Sequence, residues 1–148
     1  MIGVGELAPA VPGVAFGDGP VAILFYKDTC PVCQMAAPTT ARFEDAMPGR
    51  LVGVAQDPPE RAERFAEQYG FASRSVSDLP PYEVSDAYGI VAVPTLVLVG
   101  RDGRVEDVSG AWDRAAWNRI AARMAADVGV PAPTVSDEDD GRPPFKPG

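Results

Sequence analysis

Six consecutive apolar residues near the start of the chain, residues 21–26, constrain its fold more than any other feature of the sequence. A short, unbroken apolar run of this kind is typical of a strand that is buried on both faces of a sheet. A helical pattern follows almost at once over residues 31–46; Pro31 suits its first turn, and Pro38 inside it should kink the helix. A buried strand that leads directly into a helix predicts a sheet covered by helices.

The alternation of strand and helix signals continues to residue 127. Apolar runs predict strands at residues 51–55, 94–99 and 104–109, with a shorter strand near 73–78. Helical spacing predicts helices at residues 58–70, 82–88 and 112–127, and Asp102-Gly103 predicts a hairpin turn before the last strand. We therefore predict one α/β domain with a mixed central β-sheet and helices on both faces.

The two ends of the chain differ from this body in composition. Residues 1–20 are rich in Gly, Pro and small apolar side chains, which predicts an extended N-terminal segment with a short strand near residues 11–16. Residues 131–148 contain five prolines, two glycines and an acidic run at 137–140. Such a tail lacks the apolar surface that would offset its chain entropy. We therefore predict a folded domain over residues 1–130 and a disordered tail over 131–148.

Charge and histidine content exclude several classes of function. The chain carries 21 acidic and 13 basic residues, a net charge of -8, which argues against binding to nucleic acid phosphates. It contains no histidine, so Ser-His-Asp catalysis, Cys-His catalysis and histidine-ligated metals are excluded. Two cysteines cannot form a four-cysteine zinc site within one chain, and we expect neither a metal nor a cofactor.

Signals for membrane insertion and export are missing from this sequence. The longest apolar runs, such as residues 90–99, are far shorter than the roughly 18 residues that suggest a membrane span. Residues 1–6 have neither the basic n-region nor the apolar h-region of a secretory signal. We therefore expect a cytoplasmic protein without a membrane span, with a trimmed export signal as the alternative.

The sequence Cys30-Pro31-Val32-Cys33 lies where the first buried strand gives way to a helix. A separation of three residues places both sulfurs on one helix face, close enough to form a disulfide. The first sulfur would lie at the helix N-terminus, where unpaired amides and the macrodipole favour the thiolate that attacks disulfides. We therefore expect Cys30 to be the nucleophile and the less exposed Cys33 to resolve the mixed disulfide that Cys30 forms.

Other interpretations of the two cysteines remain open. They could be inert core residues, or they could form half of a zinc or copper site that a second molecule completes. A structural disulfide is disfavoured in a reducing compartment. The position of the Cys-x-x-Cys motif between a strand and a helix favours the redox interpretation.

A proline opens one of the predicted central strands, in the sequence Val93-Pro94-Thr95. Proline normally avoids central strands because it removes a hydrogen-bond donor from the ladder. One interpretation is an ordinary trans proline at a strand start. The other is a cis proline beside the dithiol, which would turn the Val93 backbone toward the sulfurs and let it pair with an extended substrate.

These segments together resemble the thioredoxin-fold superfamily. Residues 30–38 resemble its active-site helix, with the kinking proline five residues after the second cysteine, and residues 89–96 resemble its cis-proline segment. Gly110, after the return strand, also fits. Residues 69–89 and the sequence at 5–9 are more similar to the TlpA/ResA and AhpC/TSA-like redoxin branch than to plain thioredoxin. The resemblance spans about residues 3–126 and implies a thioredoxin-like fold with an N-terminal extension and a short insert before the cis-proline strand.

The resemblance implies thiol–disulfide exchange, with Cys30 as nucleophile, Cys33 as resolving thiol and Pro94 as the cis proline. Pro94 and the residues that border these three would contact the substrate: Thr29, Pro31, Val32 and Val93. The implied partners are a disulfide-containing protein or small molecule and a separate electron donor or acceptor.

The sequence departs from the family pattern at three positions. Thr29 stands where thioredoxins carry Trp, Leu24 where they carry a buried Asp, and Ala36 where ResA-like proteins carry a Glu. Both usual proton carriers are therefore apolar, so deprotonation of Cys33 must use solvent or another group. The candidates nearest in sequence are Lys27 and Asp28, whose alternative interpretation is a solvated surface pair.

Two other functions remain open. Residues 25–33 are also similar to the peroxiredoxins, in which Cys33 would attack peroxide. However, Cys30 replaces the Thr that precedes the reactive cysteine by three residues in that family, and Tyr26 replaces its Pro. The third function is a thioredoxin-like binding module whose acidic tail or insert docks on a protein partner.

Overall fold

A five-stranded mixed sheet forms the centre of the computed structural model, which describes residues 1–148. Its strands are β1 (Val21–Tyr26), β2 (Leu51–Ala55), β3 (Ser75–Ser77), β4 (Thr95–Val99) and β5 (Val105–Ser109). The spatial order is β3-β2-β1-β4-β5; β1, β2 and β3 run parallel, and β4 is antiparallel to both of its neighbours. The predicted mixed α/β sheet is confirmed.

Strand β1 is central because its side chains are buried on both faces of the sheet. All six of its residues are buried, and they alternate between two separate apolar clusters. Leu24 and Tyr26 belong to the larger cluster, whereas Ile23 and Phe25 belong to the smaller one on the opposite face. The unbroken apolar run in the sequence is the consequence of this double burial.

Five helices flank the sheet. Helix α1 (Pro31–Ala36) continues through a 3₁₀ turn (Ala37–Thr39) into α2 (Thr40–Ala46), and Pro38 lies in that turn. The helical stretch predicted over residues 31–46 is therefore present together with its kink. The remaining helices are α3 (Pro59–Tyr69), α4 (Glu83–Ala87) and α5 (Arg114–Val128). None of the helices combines the length and the apolar character that crossing a bilayer requires.

The two faces of the sheet are covered by different parts of the chain. Helices α1, α2, α3 and α5 supply buried side chains to the larger cluster, including Val32, Phe43, Phe65 and Trp117. The N-terminal segment and α4 cover the other face, where Val84 packs against the smaller cluster. The predicted arrangement of helices on both faces is thus confirmed.

The N-terminal segment differs from the prediction, because no strand forms over residues 11–16. The chain turns there instead, and the Val14 N–H donates to the Val11 carbonyl at 3.1 Å. The segment is fixed elsewhere, by a bridge between Leu7 and Arg104 and by a hydrogen bond from the Ile2 N–H to the Tyr88 carbonyl. Pro12 and the glycines around it favour turns over a ladder, which explains the difference.

Residues 131–148 also differ from the prediction of disorder, because they lie against the domain. Val135 is buried and its N–H donates to the Asn118 side chain on α5 at 2.8 Å. The Trp112 indole N–H donates to the Pro143 carbonyl at 2.7 Å. A short antiparallel ladder joins β6 (Trp112–Asp113) to β7 (Phe145–Lys146). The composition of the tail alone predicts disorder, whereas polar contacts with α5 and β6, together with the burial of Val135 in the larger apolar cluster, hold this segment.

Candidate active site

The Cys-x-x-Cys motif lies at the carboxyl end of β1, in the middle of the sheet. After Tyr26 the chain makes a short turn, with the Cys30 N–H donating to the Lys27 carbonyl at 3.2 Å, and α1 begins at Pro31. Because β1 is fixed between β2 and β4, this turn places Cys30 at a defined point beyond the carboxyl end of the central strand.

Cys30 is the N-cap residue of α1. Its backbone is extended, and its Sγ accepts the Cys33 N–H at 3.2 Å, while the Gln34 N–H donates to the Cys30 carbonyl at 3.0 Å. A sulfur in this position satisfies an amide that the helix leaves unpaired, and the amide stabilises negative charge on the sulfur. The predicted placement of the first sulfur at the helix N-terminus is present in the structure.

The two thiols differ in their environments. Cys30 is partly exposed, whereas Cys33 is 3% exposed and packs in the larger apolar cluster with Val32 and Ala36. Burial, together with the hydrogen bond to Cys30, raises the pKa of the Cys33 thiol well above its usual range. The pair therefore consists of an accessible sulfur and a buried thiol that stays protonated at neutral pH.

The peptide bond between Val93 and Pro94 is cis and lies beside the dithiol. The Cys30 thiol donates to the Val93 carbonyl at 3.6 Å, across 63 residues of sequence. The Thr95 hydroxyl donates to the Ala92 carbonyl at 2.7 Å, which closes the turn before β4. The structure thus brings together Cys30, Val93 and Pro94, as the sequence predicted.

The residues expected to border the site differ in how far their side chains are exposed. Thr29 and Pro31 are exposed next to Cys30, and Val93 is partly exposed. Val32, by contrast, is only 5% exposed and faces the apolar cluster, so it does not present its side chain to a substrate. The difference arises because the second residue of α1 points toward the sheet.

A buried carboxylate that the sequence reasoning missed lies behind the Cys30 turn. Asp57 follows β2 by two residues, is 1% exposed, and accepts the Asp28 N–H on Oδ2 at 2.8 Å. Its Oδ1 is buried without a hydrogen-bond partner. Burial raises the pKa of Asp57 above its usual value. In sequence, an acidic residue before Pro58-Pro59 indicates only a helix start, so no signal separated it from other turn residues.

Asp28 forms an ion pair and is not a member of a solvated pair with Lys27. The Arg61 guanidinium, on α3, donates to both carboxylate oxygens of Asp28 at 2.7 Å. Arg61 also lies 3.9 Å from the free Oδ1 of Asp57. The turn that carries Cys30 is therefore fixed from behind by Asp57, which follows β2, and by Arg61 on α3.

The end of the described chain approaches the same carbonyl as Cys30. Gly148 lies against the Val93 carbonyl, closely enough that a side chain at that position would collide with it. Further back, the Arg142 guanidinium donates to the Met35 carbonyl on α1 at 2.9 Å. The tail therefore crosses the region between α1 and the cis proline.

No group of three or more Cys, Asp or Glu side chains is arranged as metal ligands anywhere in the structure.

The sheet order, the capped Cys-x-x-Cys motif and the adjacent cis proline together define a thioredoxin-fold protein. A protein of Chlorobium tepidum, proposed to be the thiol:disulfide interchange protein DsbE, superposes with a TM-score of 0.71 at 21% identity, over 85% of this chain and 98% of that one. The thioredoxin domain of a thiol-disulfide oxidoreductase from Bacteroides vulgatus gives a TM-score of 0.64 at 21% identity, over 74% and 89% of the two chains.

A third similar structure is a secreted disulfide oxidoreductase of Mycobacterium tuberculosis that is homologous to E. coli DsbE. It superposes with a TM-score of 0.58 at 21% identity, over 73% of this chain and 81% of that one. The sequence signature of the AhpC/TSA family matches residues 14–108. The chain belongs to this family, within the thioredoxin-fold redoxins. No protein of curated function matches the chain.

Proposed function

We propose that this protein is a thiol:disulfide oxidoreductase that works through Cys30 and Cys33. The observation that carries the proposal is the pairing of a partly exposed sulfur, capped by an amide, with a buried thiol three residues behind it. An accessible thiolate attacks, and a protected thiol waits until a mixed disulfide has formed.

The exchange proceeds in two displacements that balance. The Cys30 thiolate attacks a substrate disulfide, forms a mixed disulfide and releases one substrate thiolate. Cys33 then loses its proton and attacks the Cys30 sulfur, which forms the Cys30–Cys33 disulfide and releases the second substrate thiolate. The substrate gains two electrons and the protein loses two; with an oxidising partner the same steps run in reverse.

The neighbourhood of Val93 favours an extended protein segment as substrate. The Val93 carbonyl lies 3.6 Å from the Cys30 sulfur, where the Val93 backbone can pair with a strand-like chain. A shallow depression lined by Gln56 and by residues 90–93 continues from this point and offers room for a substrate side chain.

The buried position of Cys33 argues against the peroxidase alternative. A peroxide-attacking cysteine reacts as a thiolate, and burial raises the pKa of Cys33 well above neutrality.

The binding-module alternative requires no reaction at either sulfur. Peroxide consumption that depends on Cys33 supports the first alternative, and partner binding that survives replacement of both cysteines by serine supports the second.

We expect the two thiols to titrate as one redox couple. In the full chain equilibrated with mixtures of reduced and oxidised glutathione, both free thiols should disappear together in one two-electron transition. A midpoint near about -270 mV indicates a reductant and one near about -120 mV an oxidant. Thiols that remain free at every ratio, or that bind glutathione without joining each other, contradict the proposal. The double Cys-to-Ser variant supplies the baseline.

We expect deletion of Pro147 and Gly148 to speed the reaction with a peptide disulfide. The Val93 carbonyl that a substrate strand would use is contacted by Gly148, so the tail must move before such a substrate binds. The deletion leaves β7 and the contacts of Arg142 in place. The rate should rise by about threefold or more with a peptide disulfide and stay unchanged with a small disulfide. Equal rates for the two chains with both substrates contradict this expectation.

The expectation of a cytoplasmic protein gains no support from the comparisons, since the Mycobacterium tuberculosis protein is described as secreted. Export of this protein would place the dithiol in an oxidising compartment, where either redox direction is possible.

A further inference from the structure

We propose that β6 is a docking strand for the extended segment of a protein substrate that leads into its reacting cysteine. The chain's own residues 142–148 occupy this strand until a substrate displaces them. The partner that fits is an extended polypeptide with an aromatic side chain four residues before its cysteine. This inference rests on the proposed function, since docking serves to bring a disulfide to Cys30.

The backbone of residues 142–144 is held by donors that would hold any extended chain. The Trp112 indole N–H donates to the Pro143 carbonyl at 2.7 Å, and the Arg114 N–H donates to the Pro144 carbonyl at 3.0 Å. The Arg114 guanidinium donates to the Arg142 carbonyl. Three consecutive carbonyls are therefore bound by β6 and the first residue of α5, independently of the side chains beside them.

These donors favour an exchange of one strand for another. Trp112 is fully buried, and the Pro143 carbonyl is the acceptor of its indole N–H. A buried donor that loses its acceptor is destabilising, so departure of the tail is favoured when another carbonyl takes its place. Strand β6 pairs with no strand other than β7. The tail and an incoming segment therefore compete for the same edge.

The docked strand leads from β6 to the nucleophile. Strand β7 runs antiparallel to β6, and two residues after it ends Gly148 lies against the Val93 carbonyl. That carbonyl is 3.6 Å from the Cys30 sulfur. Because a strand advances about 3.4 Å per residue, the position that follows Gly148 is within reach of this sulfur. A polypeptide on the same path would present its cysteine there.

A cavity of about 450 Å³ beside the tail provides selectivity for side chains. Phe145 and Pro147 line it from the tail, and Val108 and Ala116 line it from β5 and α5. Alternate residues of a strand point to the same side, so the side chain of Lys146 between them points away. Phe145 is still 56% exposed, which leaves room for an aromatic ring to enter more deeply.

The charged side chains that line this cavity are engaged within the domain. Arg119 donates to Asp107 at 2.8 Å, and Asp113 accepts the Ala116 N–H at 3.1 Å as the N-cap of α5. Neither charge lacks a partner for a ligand to supply. The cavity is therefore suited to an apolar side chain.

Three peptides test the docking strand on the reduced full chain. Each ends in Gly-Cys, with the cysteine in a mixed disulfide to 5-thio-2-nitrobenzoate. Attack by Cys30 on the peptide sulfur forms a Cys30–peptide disulfide and releases the coloured thiolate, which is the better leaving group. The first peptide, Arg-Pro-Pro-Phe-Lys-Pro-Gly-Cys, copies residues 142–148. The second exchanges Phe and Lys, and the third is Pro-Gly-Cys.

The exchanged peptide is the matched control for the copy. It keeps composition, charge and length but moves the aromatic ring to the other side of the strand. Stopped-flow rates are compared at high ionic strength, which screens the attraction between basic peptides and a chain of net charge -8. We expect the copy to react about tenfold faster than the short peptide or more. It should react about threefold faster than the exchanged peptide or more.

Competition by the tail is tested with Phe145→Ser, which weakens the tail's hold on the cavity and leaves β6 intact. The rate with the copy, divided by the rate with 5,5′-dithiobis(2-nitrobenzoate), should rise by about threefold or more because the site is free more often. Lys146→Ser is the matched control on the opposite side of the same strand. It should change this ratio by less than about twofold.

Equal rates for the copy and the short peptide overturn docking on β6. Equal rates for the copy and the exchanged peptide overturn the selection of an aromatic side chain by the cavity. An unchanged ratio in Phe145→Ser overturns competition by the tail. If the unmodified chain releases no coloured thiolate even from 5,5′-dithiobis(2-nitrobenzoate), then Cys30 is unreactive and the proposed function itself fails.

Discussion

Replacement of Cys30 by serine is expected to abolish disulfide exchange. The assay is the reduction of insulin by the full chain with dithiothreitol as electron donor, and its rate should fall by more than about a thousandfold. Cys30 is the only thiol that is both partly exposed and hydrogen-bonded to a helix amide. A serine hydroxyl at the same position is not ionised at neutral pH. Cys33 cannot take over the attack, since it is buried and protonated.

The matched control for this experiment is Cys33→Ser. It should also lose turnover, but it should retain the first displacement and accumulate a mixed disulfide in a one-to-one ratio. Retention of more than about a tenth of the rate in Cys30→Ser would contradict the assignment of the nucleophile. Loss of the first displacement in Cys33→Ser would contradict the assignment of the two roles.

Replacement of Trp117 by alanine is expected to lower the free energy of unfolding by about 3–5 kcal/mol. Trp117 lies on α5, is fully buried and packs edge-on against Trp112 with ring centroids 4.8 Å apart. Its indole N–H donates to the Ala111 carbonyl at 3.2 Å. The substitution leaves a large cavity between α5 and the sheet and removes one of the two hydrogen bonds that the Ala111 carbonyl accepts.

Denaturant unfolding followed by circular dichroism measures this loss. Val91→Ala is the control, because Val91 is 83% exposed and its truncation should change the stability by less than about 0.5 kcal/mol. A loss below about 1 kcal/mol for Trp117→Ala would show that α5 does not close the larger cluster as the structure indicates.

The parts of the fold that the sequence predicts best are those in which burial and chain geometry act locally. The run at β1 indicated a doubly buried strand, and Pro38 indicated the break between α1 and α2. For Pro94 the local sequence is compatible with a cis or a trans bond, and the resemblance implies the cis bond that the structure contains. In each case one residue type or one short pattern has few compatible conformations.

The remaining features depend on contacts between distant parts of the chain. Residues 131–148 are ordered through Asn118 and Trp112, which lie in other elements and carry no local signal for a tail. Asp57 is buried because α3 and the Cys30 turn close over it, and the same residue in an exposed turn would have an identical local sequence. Val32 faces inward because α1 docks on the sheet, which the motif alone does not specify.

The most direct test of the central claim is the identity of the covalent adduct that the Cys33→Ser variant forms with a disulfide substrate. Mass spectrometry of the digested adduct should place the substrate sulfur on Cys30, at full occupancy and reversible by dithiothreitol. An unmodified Cys30 after exposure to insulin and to a small disulfide would contradict the account, because no other sulfur in the chain could then begin the exchange.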